Sequence, residues 1–267
     1  MEMLEKILNI NSNYVIIGLL ALFFLMEQVL SNPFSFRRRG EHLIQNLLLL
    51  ISLTLLNLFV LVWQVKLMDW LNAQRIGLLF LFELPIWVKL ILSVMLYDFT
   101  TYWIHRAAHK VPLLWRLHRV HHSDVKMDSS TTFRFHPLEM ILVYQVGNVL
   151  TVTLFGTDVF SMALYYFILN IFLFLEHANL NYPSWINKTF GLLFVMPDHH
   201  RVHHQQNQFY TDSNYADIFI IWDRLFRTFK TLSHSEMKYG LIEFENPKRQ
   251  TFMYLIKSPF SDPKDKE

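Results

Sequence analysis

Eleven of the thirteen histidines in this chain fall between residues 105 and 204, and eight of them repeat at helical spacing. HRAAH sets His105 and His109 four apart. HRVHH sets His118, His121 and His122 at i, i+3 and i+4, and the same five letters return at His200, His203 and His204. Residues three and four apart on a helix share a face, so each group aims its imidazoles in one direction. Imidazoles gathered so densely repel once protonated and are costly to bury bare. A metal removes both difficulties, since neutral imidazole ligates Fe, Zn, Cu and Ni. A tetrahedral ion takes four ligands, so eight histidines imply two ions or surplus ligands. No glutamate is followed by histidine three residues on. Carboxylate-bridged di-iron bundles need that pair and are excluded, as are zinc peptidases of the HExxH kind. The site expected is dominated by histidine.

Composition narrows the chemistry further. The 267-residue chain is 52% apolar and 17% charged, with a net charge of +2 and no cysteine. The charge gives no sign of a nucleic-acid partner. Without cysteine there are no iron–sulfur clusters and no thiolate-ligated haem. The seven glycines never lie within five residues of one another, so no dinucleotide fingerprint or P-loop can be written. No bound flavin, haem or nicotinamide is expected, and electrons for any redox step must come from a separate donor protein.

The elements that would position these histidines are apolar runs. Residues 14–30 and 43–65 read as membrane spans. The first lacks the basic flank and small-residue cleavage site of a signal peptide. Residues 76–84 read as a partial or re-entrant segment broken at Pro85, and 86–104 as a span running on into His105. Runs 138–155 and 160–175, joined by Gly156-Thr157-Asp158, form a helical hairpin. Arg37, Arg38 and Arg39 place the first connection in the cytoplasm. Counting spans then brings every clustered histidine to that same face. The expectation is an all-α integral membrane protein with four to five transmembrane helices and a cytosolic helical cap over 182–230 holding a histidine-rich dimetal site. Its parts are N-terminal spans (1–95), a catalytic region (96–230) containing the hairpin 138–176, and a polar C-terminal tail (231–267).

Other residues take supporting parts. His177 ends the returning hairpin helix at the right depth to be a ninth ligand. Ligating imidazoles usually give their second N–H to a carboxylate or carbonyl. Asp98, two turns before His105 on the same face, is the first candidate acceptor. Asp223, Asp128, Glu176 and Asp198 are others. His136, before Pro137, is either a ligand or supporting group or simply starts a helix. His199 points about 100° away from His200, so it supports or is solvated. His42 and His234 read as ordinary solvated or hydrogen-bonded histidines. Tyr102, Trp103, Trp115, Phe133 and Phe135 could line a substrate route or serve as packing.

Taken in order, HxxxH, HxxHH and HxxHH resemble the sterol desaturase/fatty acid hydroxylase superfamily of integral-membrane oxygenases. YDFTTYWIHRAAH looks like its first box, RFHPLE and EHANL like its intervening motifs, and NYADIFIIWDRLFRTF like its closing signature, NYG…WDRLFGTF. Ala216 and Arg227 stand where that signature has glycine. The likeness covers roughly residues 95–230. It implies a mushroom-like helical fold and two iron ions held by histidines, with zinc able to substitute on purification. It also implies dioxygen-dependent hydroxylation or desaturation of a fatty-acyl, alkyl-glycerol or sterol lipid entering from the bilayer. The membrane would be the plasma or inner membrane in a bacterium and the endoplasmic reticulum in a eukaryote. Two rival classes remain. A zinc enzyme could hydrolyse a lipid ester with metal-bound water. A metal transporter or sensor would need polar ligands at mid-span, and the first two runs lack them.

Overall fold

The structure is a computed structural model, and it describes residues 12–30 and 36–261. Arg37 and Arg38 fall in a stretch whose side chains lie outside the described set; Arg39 is described. Six main helices carry the fold: α1 (Ser12–Leu30), α2 (Phe36–Ala73), α3 (Ile86–Lys110), α4 (Pro112–His122), α5 (Pro137–Phe155) and α6 (Val159–His177). Shorter helices follow, among them α7 (Ser184–Thr189) and α8 (Pro197–His203).

Among the described residues, three stretches are long and apolar enough to cross a membrane: Arg39–Leu81, Pro137–Phe155 and Val159–His177. The run Tyr14–Leu30 is apolar but shorter. The expected third span, α3, is not among them although it has 25 residues. Its second half carries Asp98, His105, Arg106, His109 and Lys110. It can do so because Leu90, Val94, Tyr97, Asp98 and Tyr102 are buried against other helices.

The helices share one polarity. Asn72 near the end of α2 donates to the carbonyl of Thr157, in the α5–α6 turn, at 3.0 Å. Lys89 at the start of α3 pairs with Asp158 at 3.7 Å. The α2–α3 and α5–α6 connections therefore meet at one end of the bundle. The segment expected to be re-entrant is a 3₁₀ turn, Leu78–Leu81, at that end. Gly77 and Gly156 both have positive φ (125° and 70°), and a Cβ on Gly77 would stand 2.1 Å from the Gly156 nitrogen. Only glycine lets two turns approach so closely.

The opposite ends of α3 and α6 carry His105, His109 and His177, and α4 and α8 carry the two HRVHH boxes. All clustered histidines thus gather at one end of the bundle. Between α4 and α5, Arg134 is fully buried. It donates to Ser123 Oγ (2.9 Å), Asn46 Oδ1 (2.9 Å) and Gln250 Oε1 (2.6 Å). One side chain so ties α2, the end of α4 and the C-terminal segment together. That segment was expected to be a polar tail, but through Ser261 it packs as a strap. Phe244 and Leu255 are buried with Leu49 and Val120, while its charged residues face outward.

Arg227 adopts φ 59°, a left-handed backbone where a side chain costs about 1–2 kcal/mol. This accounts for glycine at that place in the signature. Ala216 has no such need; it is buried, and its N–H meets Asp223 Oδ2 at 3.0 Å. Arg227→Gly should raise the melting temperature in detergent by about 2–4 °C, roughly 1 kcal/mol for a domain this size. A lowered value would contradict the assignment. Because the chain has no cysteine, its polarity is also testable: Glu83→Cys and Ser235→Cys sit at opposite ends, both exposed. An impermeant thiol reagent should label them from opposite faces of sealed vesicles. Labelling from the same face would overturn the spanning arrangement.

Candidate metal centre

Pro112 at the first position of α4 and Pro197 at the first position of α8 start both box helices with their φ preset. Each box then presents three imidazoles inward. The structure brings all nine expected ligand histidines together in two buried groups. One group is His105, His109, His118, His122 and His203. The other is His121, His177, His200 and His204. Within each, the candidate ligand atoms lie within 4.8 Å of one another.

The two HRVHH boxes divide reciprocally. The first gives its i and i+4 histidines (His118, His122) to the five-membered group and its i+3 histidine (His121) to the other. The second gives His200 and His204 to the four-membered group and His203 across to the first. The groups abut where His122 and His204 stack, with ring centroids 4.6 Å apart.

Several rings have a fixed tautomer. The Nδ1–H of His105 donates to the Tyr215 carbonyl (2.8 Å), that of His177 to Leu173 (2.7 Å) and that of His203 to Ser213 (2.7 Å). A carbonyl only accepts, so in these neutral rings Nε2 is a bare lone pair. His203 Nε2 is buried with no hydrogen-bond partner. His177 Nε2 faces His121 Nε2 at 3.2 Å and His200 Nε2 at 3.1 Å. His118 Nε2 lies 3.1 Å from both His105 Nε2 and His122 Nε2. Converging lone pairs at these separations call for a cation. Metal–nitrogen bonds of about 2.1 Å place neighbouring nitrogens about 3.0 Å apart at right angles and about 3.4 Å apart at tetrahedral angles. The observed spacings of 3.1–3.2 Å fall between the two.

Burial keeps these groups neutral. It pushes His118 down to about 3, and with the neighbouring imidazoles it holds His121, His122, His200, His203 and His204 well below the usual histidine range. Asp217, buried beside the five-membered group, is held well above the usual carboxylate range by desolvation, then by Asp98 and Asp223. The donor set suits a divalent ion, because nothing must be deprotonated to bind it.

The carboxylates are placed differently from the sequence expectation. Asp98 does not meet a box histidine. It accepts from the backbone N–H groups of Ile218 (3.1 Å) and Phe219 (3.0 Å) and from Trp222 Nε1 (2.8 Å). It shares a helix face with His105, but the cap loop 218–222 takes its oxygens first. Asp223 accepts from Tyr215 N (2.8 Å) and Ala216 N (3.0 Å), so it steadies the peptide whose carbonyl holds His105. Glu176 does approach a ligand candidate, with Oε2 3.6 Å from His200 Nδ1. Asp198 meets Asn187 and Arg201, and Asp128 caps the 3₁₀ turn Ser129–Phe133.

His136 is a helix start: its Nδ1 accepts from Leu138 N and its Nε2 meets the Ile256 carbonyl at 3.1 Å. His199 caps α8 through Met196 N and packs on Phe229, outside both groups. His42 is a half-buried hydrogen-bonder between Asp124 (2.9 Å) and Asp128 (3.1 Å). His234 lies in an exposed turn.

The residue that sequence reasoning missed is Glu139, whose Oε1 stands 2.5 Å from His118 Nδ1. It ends the quoted RFHPLE motif and opens an apolar helix, where a buried carboxylate needs a partner. Phe135 of the same motif stacks on His121 at 4.3 Å and 10°. Of the other aromatics, Phe133 joins Phe135 along an internal cavity, whereas Trp115 packs on His109 (4.9 Å) and Tyr102 and Trp103 pack on Phe226. That cavity, about 380 Å³, runs between α2, α5 and α6 and reaches His105, His118, His121 and His200 from the apolar side.

A family model described as fatty acid hydroxylase matches residues 90–228, just over half of the chain, and the chain belongs to that family. The alkylglycerol monooxygenase of Homo sapiens is 33% identical over 173 residues, 60% of this chain and 35% of that protein. The ornithine lipid hydroxylase OlsE of Rhizobium tropici is 29% identical over 146 residues, 54% of this chain and 43% of that protein. A very-long-chain aldehyde decarbonylase of Oryza sativa subsp. indica is 33% identical over 153 residues, 55% of this chain and 56% of that protein. The matched region thus spans about a third to a little over half of these relatives. No solved structure matches.

Reciprocal sharing makes a specific demand on stoichiometry. His121→Ala and His203→Ala each remove the one ligand that its box sends across. Each should lower bound metal from about two ions per chain to about one or fewer, as two-centre binding by these groups requires. Full occupancy by elemental analysis in both variants would end the assignment.

Proposed function

We propose that this member of the fatty acid hydroxylase family is a membrane-bound di-iron oxygenase that hydroxylates a lipid with dioxygen. The observation that carries the reading is an apolar cavity, set among membrane-length helices, that ends on two histidine groups. His105, His109, His118, His122 and His203 would hold one iron, and His121, His177, His200 and His204 the other. Bound iron supplies the redox chemistry that activates dioxygen. One oxygen atom enters a C–H bond to give an alcohol and the other leaves as water, using two electrons and two protons. A separate donor protein on the cytoplasmic side supplies the electrons.

The protein's own part is positional. Glu139 and the carbonyls of Leu173, Ser213 and Tyr215 fix the directions of His118, His177, His203 and His105. Phe135 braces His121. Phe133, Leu169 and Leu173 line the cavity with apolar surface and keep bulk water from the reacting carbon. A lipid can reach that carbon's position from the bilayer side without its chain crossing water.

Relatives with related names span lipid monooxygenation, lipid hydroxylation and aldehyde decarbonylation. Hydroxylation is favoured because two of those three names describe insertion of oxygen into a lipid. Incubation of membranes with lipid under labelled dioxygen should give a product heavier by one labelled oxygen. Label arriving only from water would replace this reading with ester hydrolysis.

A further inference from the structure

The walls of the cavity below the histidines are not uniformly apolar. Asn57 of α2, Gln145 and Asn148 of α5 and Tyr166 of α6 form one hydrogen-bonded chain. Gln145 Nε2 donates to Asn57 Oδ1 (2.5 Å), Asn148 Nδ2 to Gln145 Oε1 (3.2 Å) and Tyr166 OH to Asn148 Oδ1 (2.8 Å). All four line the cavity. Deeper still, Gln64 lines it too; its side chain is 4% exposed, and its Oε1 is buried without a hydrogen-bond partner. Its only contact of this kind is a weak one from Nε2 to Met162 Sδ at 3.9 Å.

Polar side chains between membrane helices often serve as adhesive. That role explains the Asn57–Gln145 bond. It does not explain a carbonyl left unpaired in a cavity wall, since an unsatisfied buried acceptor costs about 1–3 kcal/mol. Nor does an unsubstituted alkyl chain suit this wall, because filling the cavity with hydrocarbon would strip water from these amides and return nothing.

We propose that this polar stripe is a subsite for hydroxyl groups carried along the substrate's own chain, so that the preferred lipid is already hydroxylated within its hydrocarbon part. The inference rests on the cavity being the substrate channel of the oxygenase described above. Depth follows from helix rise. At about 1.5 Å per residue, Gln145 and Asn148 lie about 9 and 14 Å beyond Glu139, Tyr166 about 17 Å beyond His177, and the Gln64–Met162 pair about 22 Å beyond it. Carbon–carbon bonds of about 1.5 Å in a zigzag advance about 1.25 Å each. The stripe therefore meets a chain from about its eighth to its fourteenth carbon, and Gln64 meets it near the eighteenth. Asn57 Nδ2, which makes no hydrogen bond among the described residues, offers a donor to the hydroxyl oxygen. Gln64 Oε1 accepts from a hydroxyl placed deeper.

Binding, measured without turnover, tests this separately from oxygenation. Octadecanoic acid, 12-hydroxyoctadecanoic acid and 18-hydroxyoctadecanoic acid would compete for the purified metal-loaded protein against a fluorescent fatty-acid probe. The wild type should bind each hydroxylated chain about three- to tenfold tighter than the plain one, the worth of one net hydrogen bond. Asn57→Leu should abolish the preference for the 12-hydroxy chain alone, and Gln64→Leu that for the 18-hydroxy chain alone. Equal affinities in the wild type overturn the proposal even if neither variant folds. So does a preference that survives its variant. Failure of oxygenation with intact discrimination would instead count against the reading of the site as an oxygenase.

Discussion

One constraint underlies the other features of this structure: neutral imidazole nitrogens are held about 3 Å from one another inside one helical end. Five Nε2–Nε2 pairs lie 3.1–3.2 Å apart. Where both nitrogens are bare such contacts repel, each proton shared between rings can relieve only one of them, and a charged ring is opposed by burial. A cation between them turns the repulsion into coordination. The surrounding framework exists to hold rings at that distance: two prolines that start the box helices, three backbone carbonyls that fix tautomers, and a carboxylate against His118.

The reciprocal use of HRVHH follows from helix geometry. On one helix, i and i+4 lie nearly one above the other, whereas i+3 is rotated to the other side of that line. Two such helices facing each other can each offer a pair to the nearer group and a single ring to the farther one. HRAAH, with only the i and i+4 histidines, serves one group alone, and His177 completes the other. The repeated word is therefore a geometric device, with one motif making both halves of a two-centre site.

Much of this was legible in the letters. Helical spacing named eight histidines and the end of the hairpin helix a ninth, and the structure gathers those nine and leaves His136 and His199 out. Apolar runs located α2, α3, α5 and α6 closely, because helix length and hydrocarbon content leave few alternatives. The supporting shell was less legible for two reasons. Three of the groups that orient the rings are peptide carbonyls, and a carbonyl is common to every residue type. Asp98 was assigned to a ring because it shares the face of His105, but its oxygens are occupied by backbone N–H groups 120 residues away in sequence, which no local spacing reports. The strap was hidden for a related reason: its apolar runs around Phe244 and Leu255 are short and set among polar residues, and only tertiary contact shows that they pack inward.

That strap has a practical reach. The family match stops at residue 228, yet Gln250 accepts from the guanidinium of Arg134 and donates to the carbonyl of Ser123, at the end of α4. Arg119 on α4 donates to the carbonyl of Ser258. A fragment trimmed at the family boundary would keep every clustered imidazole and lose the brace behind the helix that carries three of them. The stretch that defines the family therefore does not contain everything that braces the histidine groups.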